Sequence, residues 1–192
     1  MAAFYELKKL KTEIIRKSLH LLIVFVPLLA SINYAVTVLL LVAGLIVYGL
    51  LESLRLSGRN ILVFSALVER ASRPRDRGHF VGGPVTLGLG ALVVLLLYPQ
   101  PVAASAIYAL GFGDSFASIM GTRYGRRRPS FLLGKSVEGS LACFCAVFST
   151  TYWVLNQGAP ACAAAIMAML VEALPLDDFD NIAIPVMVAS TL

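Results

Sequence analysis

Apolar residues along this chain fall in long runs separated by short breaks or polar stretches. The runs cover residues 18–32, 34–51, 80–98, 102–121, 139–155 and 161–174, with a shorter one at 181–192. A helix needs about 20 mostly apolar residues to cross a bilayer. The pattern therefore predicts an all-α, polytopic membrane bundle of about six to seven spans. Pro99 and Pro101 break the third run from the fourth, and Asn156 to Pro160 break the fifth from the sixth. The last run is short enough for a half span. Residues 60–71 are apolar but too few to span, and predict a helix lying in the membrane plane. The first run leads straight into the second with no small-residue cleavage pattern, so it reads as a span and not as a cleaved signal. One catalytic domain is expected over residues 1–192. Residues 1–17 form an interfacial N-terminal segment, and 52–79 and 122–138 form loops.

Composition supports this reading. Of 192 residues, 58% are hydrophobic and 14% charged, against about 25% charged in soluble domains. A soluble fold of this size could not hide so much apolar surface, and disorder is excluded more strongly. The three cysteines, Cys143, Cys145 and Cys162, lie in apolar runs and read as buried thiols.

Charge adds orientation. All sixteen basic residues fall within 8–17, 55–77 and 123–135. With the spans above, these clusters share one side of the membrane, while the connections at 31–33, 98–101 and 156–160 carry no charge. The positive-inside rule places the basic side, and the N-terminus, in the cytoplasm. The net charge of +5 then reports loop orientation, and no nucleic-acid partner is expected. The acidic residues lie at the same face, apart from Asp114 inside the fourth run.

A carboxylate within a span is costly unless paired or wetted, which marks Asp114 as a functional residue. Gly111, Asp114, Ser118 and Gly121 recur at helical spacing, a stripe that admits a close backbone or a phosphate. Helix packing through small residues is the competing explanation. The loop after it carries Gly121, Arg123, Gly125 and Arg126 to Arg128, a composition suited to anions, although the arginines alone also read as a membrane anchor. Gly134-Lys135-Ser136 is not a P-loop, because Pro129 stands where the first glycine would be. Lys135 and Glu138 sit about one turn apart, as a phosphate holder with a metal or proton ligand, or as an ion pair. Arg16, Lys17 and His20 share a helix face. Glu52 pairs in spacing with Arg55. Asp177, Asp178 and Asp180 offer oxygen donors of the kind Mg2+ takes, or a solvated loop.

Taken together, these pieces resemble the integral-membrane CTP-dependent lipid-alcohol kinases: dolichol kinase, phytol kinase and CTP-dependent diacylglycerol kinase. The matching elements are Arg16-Lys17-x-x-His20, Asp114-x-x-Ala117-Ser118-x-x-Gly121-x-x-x-Gly125, Gly134-Lys135-Ser-x-Glu138-Gly139, and Glu172 with Asp180-Asn181 and Pro185. They run in the family's order from residue 16 to 185. A more distant similarity is to the CDP-diacylglycerol synthases. The resemblance implies phosphoryl transfer from CTP to a lipid hydroxyl, with Mg2+ or Ca2+. Arg16, Lys17, Asp114 and Gly121 would be required, with Lys135, Glu138 and Asn181 supporting. Asp114, Glu172 and Asp180 are then expected to hold the metal, Arg16, Lys17, Gly121, Arg123 and Gly125 the phosphates, and Glu138 or His20 the alcohol proton. Glu52 is expected in support. The expected partners are CTP, a membrane lipid alcohol and the bilayer. The expected location is a multi-pass position, with a cytoplasmic site, in a bacterial inner membrane. A CDP-lipid synthase and a small transporter or scaffold stand as the alternatives.

Overall fold

The computed structural model describes residues 2–59, 61–72, 76 and 78–192, with backbone only for residues 2–9 and 131. Asn60, Arg73, Arg75, Arg77 and the side chains of Glu6, Lys8 and Lys9 therefore lie outside what is described. Among the described residues every element is helical. The helices are α1 (Ala2–Leu21), α2 (Phe25–Ile32), α3 (Tyr34–Leu56), α4 (Leu62–Ala71), α5 (Gly83–Leu97), α6 (Gln100–Tyr108), α7 (Asp114–Tyr124), α8 (Val137–Leu155), α9 (Gly158–Ala173) and α10 (Asp180–Thr191).

The breaks follow local chemistry. Asn33 ends α2 with extended backbone and caps α3, its side-chain oxygen accepting from the Val36 N–H at 3.1 Å. Ser136 caps α8 through the Gly139 N–H at 3.1 Å. Asn156, at φ 50°, closes α8 in the left-handed conformation that asparagine tolerates.

Three stretches are long and apolar enough to cross a membrane: Leu10–Ile32, Tyr34–Leu56 and Gln100–Tyr124. Helices α5 and α9 are apolar but shorter. The first stretch differs from the sequence expectation, which began a span at residue 18. Helix α1 runs through that boundary and meets α2 across a tight 3₁₀ turn at Leu22–Val24. The reason is that Lys17 and His20 face inward, so the helix need not reach water to accommodate them.

The burial pattern is inverted relative to a soluble protein. Leu39, Leu40, Ile46, Val47 and Leu50 of α3 are exposed, while Lys17, Glu52, Asp114 and Glu172 are buried. The core where α6, α8, α9 and α10 meet is rich in alanine, with Ala103, Ala106, Ala164, Ala165 and Ala168 fully buried. Small side chains let helix backbones approach closely, the usual basis of packing in lipid. Gly90 shows how close: a Cβ there would lie 2.0 Å from the Asn181 carbonyl oxygen of α10. All three cysteines are free, and Cys143 is buried. Cys145 is exposed and Cys162 only half-buried, unlike the expected buried thiols, whereas Cys143 faces the tight contact at Gly113, where a Cβ would lie 3.4 Å from its sulfur.

Candidate active site

The charged residues gather at one end of the bundle, around α1, α7, α8 and the start of α10. Helix α1 brings Lys17 against Asp114, an ion pair with side-chain exposures of 1% and 4%. His20, one turn further, places Nε2 3.2 Å from Asp114 Oδ2 and 3.3 Å from the Leu110 carbonyl oxygen. Both neighbours are acceptors, so Nε2 carries the hydrogen and Nδ1 is left to accept. Leu110 lies in a π-helical segment, Ala109–Gly113, that widens the helix directly before Asp114. Such segments recur at functional sites.

One turn before Lys17, Glu13 and Arg16 form a two-pronged pair: Nη2 to Oε1 at 2.6 Å and Nε to Oε2 at 3.2 Å. The Ser118 hydroxyl of α7 also donates to Glu13. A second knot joins Lys135 Nζ to Glu172 Oε1 at 2.5 Å. Glu172 is buried, whereas the Lys135 side chain is 39% exposed.

Between these groups lies a cavity of about 290 Å3, with Glu13, Ser118, Arg128, Lys135, Ser140 and Glu172 among its lining residues. Arg128 is anchored by donating to the Gly134 carbonyl at 2.6 Å and the Gly121 carbonyl at 2.9 Å. The Ser140 hydroxyl, in a residue 5% exposed, has no hydrogen-bond partner among the described residues. A buried polar group left unpaired costs about 1–3 kcal/mol, so it marks a place where a ligand would be welcome.

The small-residue stripe serves packing first. Gly121 of α7 faces Gly139 of α8, and a Cβ on Gly139 would lie 2.8 Å from the Ala117 carbonyl. Gly125 is closed in by Ser136 and the Gly121 carbonyl. Gly121 still lines the cavity; Gly125 does not.

Several expected residues lie outside this cavity. Glu138 is half-buried, and its carboxylate accepts the backbone N–H groups of Arg126 and Arg127 at 3.2 and 3.3 Å. Together with its own backbone N–H, these hold its carboxyl below the usual range. Lys135 pairs with Glu172 and not with Glu138. Arg123 sits over the Tyr124 ring, 5.4 Å from its centroid. Glu52, fully buried, takes two hydrogen bonds from Arg55 at 2.7 and 2.8 Å and one from the Val81 N–H at 2.9 Å. It fastens the end of α3 to the segment before α5. Asn181 donates through Nδ2 to the Gly83 carbonyl at 3.2 Å and to Thr86 Oγ1 at 2.9 Å, locking α10 onto α5.

Asp180 lies in the field of both knots. Its carboxyl is pushed up to about 7, first by burial and then by the negative charge of Asp114. The expected metal trio of Asp114, Glu172 and Asp180 is not gathered: no three carboxylate, histidine or cysteine groups cluster among the described residues. Two of the three are held by lysines. The oxygen donors still suit Mg2+ in kind, since Mg2+ is commonly held by one or two carboxylates plus substrate phosphates.

Glu13 and Ser140 escaped the sequence reading, whereas Ser118 stood in the small-residue stripe and Arg128 in the basic loop without being given a site role. Glu13 stands three residues from Arg16, the one local signal available. Its tie to Ser118, 105 residues away, has no local trace.

No family model and no solved structure matches the chain. Curated proteins do. "Probable phytol kinase 1, chloroplastic" of Oryza sativa is 31% identical over 170 residues, 79% of this chain and 51% of that protein. "CTP-dependent diacylglycerol kinase 1" of Schizosaccharomyces pombe is 31% identical over 102 residues, 50% of this chain and 47% of it. The Saccharomyces cerevisiae protein of that name is 27% identical over 147 residues, 75% of this chain and 50% of it. The chain spans about half the length of these curated relatives. It is a membrane protein with a charged cavity at one end, and over much of its length it is similar to proteins named as phytol kinases and CTP-dependent diacylglycerol kinases.

Proposed function

We propose that the protein is a CTP-dependent kinase that phosphorylates the hydroxyl of a membrane lipid alcohol. The observation that carries this reading is the cavity of lysine, arginine and carboxylate groups set in an otherwise apolar bundle, in a chain whose relatives are named as such kinases. Phosphoryl transfer asks a protein mainly for positioning and charge neutralisation, and this cavity offers both. Lys135 and Arg128 receive the phosphates, and the unpaired Ser140 hydroxyl donates to a phosphate oxygen. Lys17 and Arg16 supply positive charge to the transferring group. In the reaction the alcohol oxygen bonds to the γ-phosphorus, the bond from that phosphorus to the β–γ bridging oxygen breaks, and CDP leaves. His20 takes the alcohol proton at Nδ1. Asp180 and Glu172, the latter released as Lys135 turns to the phosphates, would hold Mg2+ arriving with the nucleotide, and bound Mg2+ would neutralise phosphate charge.

The finer topology belongs to the same reading: a multi-pass protein with α5, α8, α9 and α10 completing six to seven crossings, and the N-terminus and cavity at the cytoplasmic face. The relatives named above are plant and fungal proteins and lend no support to the expected bacterial inner membrane.

The test is an assay in membranes with γ-labelled CTP and phytol, a polyprenol or diacylglycerol. Lipid phosphate and CDP are expected. Release of pyrophosphate in place of CDP, or no lipid phosphate from any alcohol, overturns the reading.

A further inference from the structure

A second cavity, of about 140 Å3, lies against the next turns of α1, at Arg16, Leu19 and His20. Leu19, Val81, Pro84 and Leu87 supply its apolar wall, and Arg16, Asp76 and Asp178 line it together with His20 and Asn181. Resting on the kinase reading above, we infer that this smaller cavity receives the hydroxyl end of the lipid alcohol, while the nucleotide occupies the larger one.

Three observations separate the two substrates. The first is size. An aliphatic cavity of roughly 150 Å3 holds a molecule about as large as benzene. The small cavity therefore takes a hydroxyl and its first few carbons, and it is far too small for a nucleoside triphosphate. The rest of the lipid chain must run out between helices. The second is hydrogen-bonding character. Asn181 spends its amide nitrogen on Gly83 and Thr86, so its Oδ1 can accept. His20 spends Nε2 on Asp114 and Leu110, so its Nδ1 can accept. These two acceptors, with the carboxylates of Asp76 and Asp178 in the same lining and Arg16 held by Glu13, suit a neutral hydroxyl donor better than a phosphate. The third is continuity. Arg16 lines the small cavity and Glu13 the large one, and the two side chains are joined along one face of α1 by their two-pronged pair. The two cavities thus adjoin at the Glu13–Arg16 pair, and it is there that the hydroxyl must meet the γ-phosphate for transfer.

The inference is tested by filling and by labelling. Leu87→Trp, which narrows the small cavity, should raise KM for the lipid alcohol at least tenfold and leave KM for CTP within twofold. Ser140→Ala should do the reverse. A rise in KM for CTP with Leu87→Trp, at unchanged lipid KM, overturns the assignment. A measurement that needs no activity runs beside it. In Leu87→Cys, alkylation of the new thiol is followed by mass spectrometry, with Cys145 and Cys162 as internal references. Protection by phytol or a short prenol, and not by CTP, is expected. Protection by CTP alone, or by neither, overturns the assignment. If the wild type makes no lipid phosphate yet alcohols protect position 87, the kinase reading fails while the lipid cavity stands.

Discussion

Two lysine–carboxylate pairs stand at the same end of this bundle, and they differ in burial. Lys17 and Asp114 are sealed between α1 and α7, with exposures of 1% and 4%. Lys135 reaches the equally buried Glu172 from the cavity rim and keeps 39% of its side chain exposed. A sealed pair cannot exchange partners without opening the helix contact, so it fixes geometry and local charge. A rim lysine can leave its carboxylate for an arriving phosphate at little cost. The same two functional groups therefore serve as a fixed post and as a movable hand, and burial alone separates the roles.

The largest effect is expected from breaking the sealed pair. Lys17→Ala leaves the Asp114 carboxylate buried without its main counter-charge, which costs about 3–5 kcal/mol. Activity should fall by at least ~1000-fold, and thermal unfolding in detergent should shift down by many degrees. The double variant Lys17→Met with Asp114→Leu separates the two losses. It should regain most of the melting temperature, since replacing both charges with apolar groups is often neutral, and it should remain inactive. A double variant as unstable as the single one would mean that the pair does not set the geometry.

Breaking the rim pair should cost activity with little stability. Lys135→Ala is expected to lower kcat/KM for CTP by about 100-fold, in the range for losing one anion-stabilising donor, and to destabilise by about 1–2 kcal/mol through the unpaired Glu172. Lys135→Arg should recover part of the activity. Equal damage to stability from Lys17→Ala and Lys135→Ala, read by thermal melts, would erase the distinction between post and hand.

How much of this was legible in the sequence depends on the range of each interaction. The apolar runs and the one-sided charges are properties of contiguous residues, so the all-helical membrane character was readable directly. Arg16, Lys17, His20 and Asp114 were each conspicuous as charge within or beside an apolar run. Their partnership was not, because Lys17 and Asp114 are 97 residues apart. Lys135 shows how local spacing misleads. Three residues from Glu138, it reads as a helical neighbour. Ser136 is the N-cap, however, so α8 begins after Lys135 and the shared-face rule does not reach it. The side chain turns instead to Glu172, 37 residues on. The widened turn at Ala109–Gly113 also has no sequence mark that ordinary helix periodicity would reveal.

Asp180 senses both pairs and so reports on them through pH. Its folded-state carboxyl is raised to about 7, by burial first and by Asp114 next. The folded protein therefore holds that proton more tightly than the unfolded chain does. Stability should decline as pH rises from the ordinary aspartate range towards 7, and level off above it. Asp180→Asn removes this loss, so it should raise the melting temperature at pH 8, with the gain shrinking towards pH 5. A gain that does not change with pH would mean that Asp180 is not held protonated by its surroundings.

The smallest effect belongs to Glu138, and it explains why Lys135 is left for the cavity. The Glu138 carboxylate is occupied by the backbone N–H groups of Arg126 and Arg127, so it does not compete with Glu172 for the lysine. Its own backbone N–H first, and then those two hydrogen bonds, hold its carboxyl below the usual value. The clamp is then complete above the ordinary glutamate range and is lost as pH falls through its lowered value. Glu138→Gln keeps one acceptor oxygen and should raise KM for CTP only a few-fold, with kcat nearly unchanged. Limited proteolysis of the 126–134 segment should quicken in the variant at pH 7, and the difference from wild type should narrow as the pH is lowered. A loss of kcat as deep as that of Lys135→Ala would instead put the Glu138 carboxylate on the reacting atoms, and the rim lysine would no longer be the movable group of the site.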